Sequence, residues 1–312
     1  MHPDRILTGM ALMLGFCLTA PLIDVASKLA TVNIPVGQIT TARFVVQAAL
    51  MLPICRALNY SLKIPPGTLT QLTLRALFLI LSTYSFVAAL QYMPIANALA
   101  IAFVEPFILL ILGHLLFKDQ VGPRRIGASI VGFAGSLLVI QPSLAIFGLT
   151  ALWPLGTALF FAAYMLVTRS LGGRMHPVPM QFHTATVAMV ICLPVMLLAN
   201  GSEIPGLDPV LPENLDWLWL FGVGAASAFA HMLMTYALRF APSATLAPLH
   251  YLEIISASTI AYFVFGDFPD ALTWVGIGII ASSGLYIIHR ERITARAGRQ
   301  VHSAVEPGTG GP

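Results

Sequence analysis

Two glutamates limit what this chain can do more than any other residues. Glu105 and Glu253 each stand near the middle of a long apolar run. The runs match each other without a gap at a constant offset of 148 residues: ALQYMPIANALAIAFVEPFILLILGHLLFKD (89–119) and ALRFAPSATLAPLHYLEIISASTIAYFVFGD (237–267). Pro94 falls on Pro242, Phe117 on Phe265 and Asp119 on Asp267. An ionised carboxylate in the middle of a bilayer costs at least ~2.5 kcal/mol, so something must offset it. Such a group either exchanges protons or holds a substrate amine, or it is a protonated or paired structural carboxylate between packed helices.

Other residues are candidates for the same site. His250 precedes Glu253 by three positions, which puts both on one side of a helix. His231 has Ser227 four before it and Thr235 four after, a polar stripe that could line an aqueous path or bond neighbouring helices. Arg43 suits a carboxylate or phosphate on a substrate, yet equally a pair with Asp24 or Glu105, or snorkelling to the interface. Asp24 and Lys28, four apart, are expected to form a structural ion pair. Phe103 and Tyr251 each lie two residues before their glutamate, and with Tyr84 they are the rings expected at a cavity for a flat or cationic substrate. No metal is expected, because no two histidines have zinc-site spacing.

The elements that must position these residues are membrane spans. Of 312 residues 57% are hydrophobic and 9% charged, against about 25% charged in soluble proteins. Ten apolar segments are placed at 6–29, 36–58, 72–90, 94–117, 125–140, 149–168, 179–199, 215–238, 242–265 and 271–289. The first segment lacks a cleavage site and runs into Asp24 and Lys28, so it is expected to be retained. The three cysteines lie in apolar runs and read as small hydrophobes. Basic residues crowd the links after even-numbered segments and the tail, from Arg56 and Lys63 to Arg290, while Glu203, Asp208, Glu213 and Asp216 lie on the other side. The positive-inside rule puts both termini in the cytoplasm. The small-residue positions Ala128, Gly132, Ser136, Gly278 and Ser282 are expected to serve close internal helix packing.

The duplication extends beyond the two runs, since an offset of 141 places Gly15 on Gly156 and Lys28 on Arg169. Five spans per copy is an odd number, so the copies must insert in opposite directions, as in secondary transporters. The domains are 1–143 and 148–290, followed by a basic, then Gly/Pro-rich tail, 291–312, expected to be disordered beside anionic lipid. In these features the chain resembles the EamA-type drug/metabolite transporters. The resemblance rests on five plus five spans, Pro-x-Ala-x8-Glu in both copies, FKDQVGPRRIGASIVGFAGSLLV (117–139) and the AP-x-x-Y-x13-FGD-x-P pattern of the ninth span. It covers residues 6–290, with Asp119 and Asp267 standing where the family usually has Glu. Ile254 stands where the first copy has Pro106, so a proline bend is expected only in the first copy.

The fold expected is therefore an all-α membrane protein, ten transmembrane helices as two inverted five-helix repeats. The function expected is alternating-access transport of a small polar metabolite, with proton coupling or the substrate's own gradient implied by the resemblance. A facilitator or channel is the alternative, and a membrane-embedded transferase would need clustered Asp or His motifs at an interface. With no GxxxxGK loop, ATP is not the direct energy source, and no cofactor is expected. The expected partners are the small-molecule substrate and membrane lipid, not nucleic acid, with the chain a monomer or homodimer in a bacterial inner (cytoplasmic) membrane.

Overall fold

The structure, a computed structural model, describes residues 3–118, 122–140, 147–266, 271–272, 274–276, 278–286, 289–290 and 293. Asp119 and Asp267 and the tail 294–312 lie outside the described residues. Inside hydrocarbon every backbone N–H and C=O must bond within the chain, and a helix does this locally. Among the described residues there is no strand. The helices are α1 (Pro3–Ala30), α2 (Val36–Ala57), α3 (Leu69–Tyr92), α4 (Ile95–Ala102), α5 (Glu105–Phe117) and α6 (Pro123–Ile140). After a 3-10 turn, Gly148–Ala151, come α7 (Leu152–Leu171), α8 (Pro177–Ala199), α9 (Asp216–Phe240), α10 (Ser243–His250) and α11 (Glu253–Phe265). A further apolar helix lies within Trp274–Tyr286. Among the described residues six helices are long and apolar enough to cross a bilayer; Glu105–Phe117, Ile126–Gly135 and Trp274–Tyr286 are shorter apolar helices. Leu115, Leu198, Phe229 and Phe263 are exposed on the outside of the bundle, where lipid tails solvate them as well as a protein core would.

The packing comes in matched pairs. α1 lies along α9 as α3 lies along α7, and α2 lies along α8. α2 meets α9 as α3 meets α8. α1 touches α10 and α11, just as α7 touches α4 and α5. Among α1–α5 and α7–α11, exchanging each helix for its counterpart in the other copy returns the same set of contacting pairs.

The fourth and ninth segments are not the continuous helices expected from the sequence. Each is interrupted at the same register, at Phe103–Val104 and at Tyr251–Leu252. Val104 N–H turns to the Ile101 carbonyl and Phe107 N–H to Val104, both three residues back. Pro106 has no N–H to give the Ala102 carbonyl. In the second copy Leu252, Ile254 and Ile255 bond three residues back in the same way. Its proline is Pro248, inside α10. The expected difference between the copies is thus corrected: the bend occurs in both, because a run of i→i−3 bonds tightens the chain whether or not a proline stands at the break. The interruption makes Glu105 and Glu253 the first residues of new helices, where the positive end of the helix dipole and unbonded N–H groups lie nearest a carboxylate.

The small residues pack unevenly. A Cβ on Gly135 would lie 3.0 Å from the Gly276 carbonyl, and Ser283 donates to the Ala128 carbonyl at 2.7 Å, so α6 and the last helix approach closely. Gly278 and Ser282 instead face outward, and the side chain of Ser136 lies outside the described residues. A Cβ on Gly132 would stand 2.6 Å from the Tyr251 ring, which is backed by Phe103 and Phe107. Gly132→Ala is expected to cost about 1–3 kcal/mol, as overpacking does. A lower midpoint of thermal unfolding in detergent measures it, and an unchanged midpoint means that the ring has room to move.

Candidate functional site

α1, α3, α4 and α7, with α2, α9, α10 and α11, enclose a cavity of about 720 Å³ of non-atom space, counting its mouth. Its walls are Phe16, Phe86, Phe103 and Phe161 with aliphatic side chains between them. Its polar groups are Asp24, Ser27, Arg43, Ser82, Thr83, Glu105, Thr157, His231, His250 and Glu253. The lining residues of α1 (16–27), α3 (79–87) and α7 (157–161) run from mid-helix toward the end of the bundle where α1 and α3 finish and α7 begins.

At the base of the cavity one imidazole joins the two glutamates. His250 Nδ1 is 2.7 Å from Glu105 Oε2, and Nε2 is 2.9 Å from Glu253 Oε2. The interruption of the ninth segment is what allows this. His250 ends α10 and Glu253 opens α11, while the matching break in the first copy brings Glu105 to the opposite nitrogen. All three side chains are buried. Two ionised carboxylates accept from an imidazole only if both its nitrogens carry hydrogen, which requires imidazolium; with one carboxylate protonated, a neutral ring completes the same two bonds. These two arrangements are tautomers with the same number of protons; a further proton placed on Glu105 Oε1, which has no hydrogen bond, leaves Oε2 accepting from the ring, so the triad can gain a proton and keep both bonds. Phe16, Phe103 and Phe161 surround the ring with centroids 5.5, 6.1 and 5.8 Å away. Glu105 Oε1 is buried with no hydrogen bond.

A second polar chain leads away from the cavity. Arg43 donates from Nη1 to Thr83 Oγ1, and its Nη2 lies 2.7 Å from His231 Nε2. Arginine has no acceptor, so Nε2 accepts and the His231 ring is neutral, with Nδ1–H directed at the Tyr164 hydroxyl, 3.0 Å away. Arg75 Nη2 reaches the same hydroxyl at 2.8 Å. Arg75 is fully buried and no carboxylate pairs with it among the described residues. Its Nε donates to Thr168 at 2.7 Å, Nη1 to Thr184 and to the Met180 carbonyl at 3.5 Å, and Nη2 also to Thr235 at 3.2 Å. Each of those threonines gives its own proton to the carbonyl four residues back, leaving its lone pairs for the guanidinium. Five N–H groups thus meet acceptors on α7, α8 and α9. Gln181 extends the knot, bonding Thr235 and the His231 carbonyl at 2.7 Å each and Gln47 at 3.1 Å.

Six of the eight residues expected at the pathway line the cavity: Glu105, Glu253, His250, His231, Arg43 and Phe103. Tyr251 and Tyr84 do not. Tyr251 is 1% exposed and turned back against α6, with its hydroxyl unbonded. Tyr84 packs on Trp153 with centroids 6.0 Å apart, outside the lining. The pair expected of Asp24 and Lys28 is also corrected. Lys28 Nζ bonds the carbonyls of Leu90 and Met93, the latter at 3.2 Å, because the end of α3 offers carbonyls that no helical N–H takes up. Asp24 faces the cavity instead. Arg43 bonds neither Asp24 nor Glu105 directly, its nitrogens going to Thr83 and His231, while its charge still attracts that of Asp24 across the cavity. The stripe of His231 divides: His231 lines the cavity, Thr235 belongs to the Arg75 knot, and the Ser227 hydroxyl is unbonded. Arg75 was missed as a site residue, since by position it reads as one more cytoplasmic basic residue. The signal available was its place inside the third apolar segment rather than before it.

A bundle of apolar helices around a buried, charged, partly aromatic cavity is the build of a polytopic membrane transporter. The EamA-like transporter family model matches the chain twice, at residues 7–141 and 148–289, and the chain belongs to that family. It is similar, at 26% identity over 70% of this chain and 71% of the relative, to the S-adenosylmethionine uptake transporter of Rickettsia prowazekii (strain Madrid E). The riboflavin transporter of Vibrio cholerae serotype O1 is 23% identical over 96% of this chain and 98% of its own length. That of Rhizobium johnstonii is 28% identical over 70% and 69%. A solved crystal structure superposes with a TM-score of 0.74 at 15% identity, covering 94% of this chain and 99% of its own, a likeness of fold alone. The role of the chain is transport, not catalysis.

Proposed function

We propose that the chain is a secondary carrier of a small metabolite, coupled to protons through Glu105, His250 and Glu253. The observation that carries this reading is the imidazole held between two glutamates from matching positions of the two copies. A buried group that keeps two hydrogen bonds in either protonation state can take a proton from one side and release it to the other without exposing a bare charge to hydrocarbon. Ten helices in two inverted halves, 1–143 and 148–290, with both termini cytoplasmic, support a rocking cycle around that site. This arrangement is supported by the matched interruptions 148 residues apart and by the exchange symmetry of the packing. The cavity then faces the periplasm, and the Arg75 knot closes the cytoplasmic end. The relatives named as S-adenosylmethionine and riboflavin transporters support a metabolite of that size, and a bacterial inner membrane as the location.

The test is uptake into proteoliposomes from a panel of labelled metabolites, with and without an imposed pH gradient. Accumulation above equilibration is expected only with the gradient. Equilibration alone, indifferent to the gradient, would mean a facilitator. No uptake of any compound would remove the carrier reading.

A further inference from the structure

The two copies contribute unequally to the cavity. The offset of 141 pairs α1 with α7 and α2 with α8, and the offset of 148 pairs α3 with α9. For some pairs both members line the cavity: Phe16 and Thr157, Thr83 and His231, Glu105 and Glu253. For others only the first-copy member does. Ile23, Ser27, Arg43 and Val87 are lining residues, and their counterparts are Tyr164, Thr168, Thr184 and Thr235. Those four are the side chains that Arg75 bonds. None of them is more than 1% exposed. Leu79 and Phe86 also line the cavity, while their counterparts Ser227 and Met234 are fully buried. The Ser227 hydroxyl has no hydrogen bond among the described residues, whereas a hydroxyl in a permanently dry core is nearly always bonded.

A carrier of two inverted halves opens to its other side by exchanging their conformations, so each wall passes to its counterpart. We infer that Tyr164, Thr168, Thr184, Ser227, Met234 and Thr235 line a second, cytoplasmic vestibule that the substrate crosses, and that Arg75 is the latch holding it shut. The guanidinium lies among them bonded to neutral acceptors alone. Its bonds hold α7, α8 and α9 together, and its lost hydration opposes them. Opening trades the bonds for water, so the latch is reversible. Val223 stands at the position matching Arg75, so no guanidinium ties the corresponding walls on the side where the cavity is open. The inference rests on the carrier reading above and names the residues of its second mouth.

The experiment is cysteine labelling of the full chain in membrane vesicles, with Cys17, Cys55 and Cys192 replaced by alanine. A charged, membrane-impermeant methanethiosulfonate is applied to one side at a time. Phe86→Cys reports the periplasmic cavity, and its counterpart Met234→Cys reports the cytoplasmic vestibule. With Arg75 in place, Phe86→Cys should react from the periplasm and Met234→Cys only slowly from the cytoplasm. Adding Thr184→Val removes one acceptor of the latch. It should speed Met234→Cys roughly tenfold, as expected for one lost hydrogen bond to a charged group, with no gain at Phe86→Cys. Adding Arg75→Met should speed Met234→Cys further and slow Phe86→Cys. Faster reaction at both sites means a loosened bundle and overturns the inference. So does an unchanged rate at Met234→Cys, and so does a gain there in Arg75→Met without a loss at Phe86→Cys. If Arg75→Met does not reach the membrane, the Thr184→Val rates decide. Labelling that shifts as expected in a chain that takes up no compound would sink the carrier reading alone. Gradient-driven accumulation with unchanged labelling would sink this inference alone.

Discussion

Glu105→Gln combined with Glu253→Gln is expected to reduce pH-gradient-driven accumulation to plain equilibration. The double change leaves His250 between two amides. The ring then loses both of its counter-charges at once, at distances of 2.7 and 2.9 Å. A hydrogen bond to a charged group contributes roughly 1.5–3 kcal/mol, so two of them at the lower figure amount to about 3 kcal/mol, or roughly a hundredfold in a proton-binding equilibrium. Neither amide can take up a proton in its place. Each single variant should keep part of the coupling, because one carboxylate and the imidazole still exchange a proton between them. The measurement is accumulation ratio against imposed gradient in proteoliposomes. A double variant that accumulates like the wild type would remove the triad from the mechanism.

The second large effect is expected at Arg75. Lysine offers three donors where arginine offers five in a fixed planar fork. Arg75→Lys therefore gives up two of the five bonds to α7, α8 and α9, while the buried charge remains. At ~1.5 kcal/mol for each lost bond the expected loss is about 3 kcal/mol, read as a fall of roughly 5 °C or more in the midpoint of unfolding in detergent. The knot ties α3 of the first copy to α7, α8 and α9 of the second. A variant that unfolds like the wild type would mean that water replaces those bonds and that the end of the bundle is not dry. The two predictions separate cleanly. The triad should govern coupling with little change in stability, and Arg75 should govern stability and closure with the triad intact.

Much of the molecule is legible without coordinates, for a physical reason. Hydrocarbon forces each span to be a long apolar run whose backbone bonds close within itself, so the all-helical membrane class and the duplication are written locally. The cost of a charge at that depth singles out Glu105, Glu253, His250 and Arg43 in the same way, and all of them line the cavity. The family resemblance rested on the same local patterns, and the two matches of the family model agree with it.

Tertiary structure decided what those residues do to one another. A sequence places His250 beside Glu253 but does not bring Glu105 to its other nitrogen from 145 positions away; that takes two interrupted helices meeting at their breaks. Asp24 and Lys28 share a helix face, and spacing alone pairs them. The free carbonyls at the end of α3 compete for the lysine and win, leaving a carboxylate open to the cavity. Arg75 reads as a cytoplasmic charge until three threonines from three other helices are seen to surround it. Tyr251 and Phe103 hold matching positions, but only Phe103 reaches the cavity, because the rotation of each half-helix is set by what packs behind it and not by its own residues. Local chemistry determined which groups this membrane transporter places at its centre. Which of them are paired is a property of helix faces meeting across the two copies.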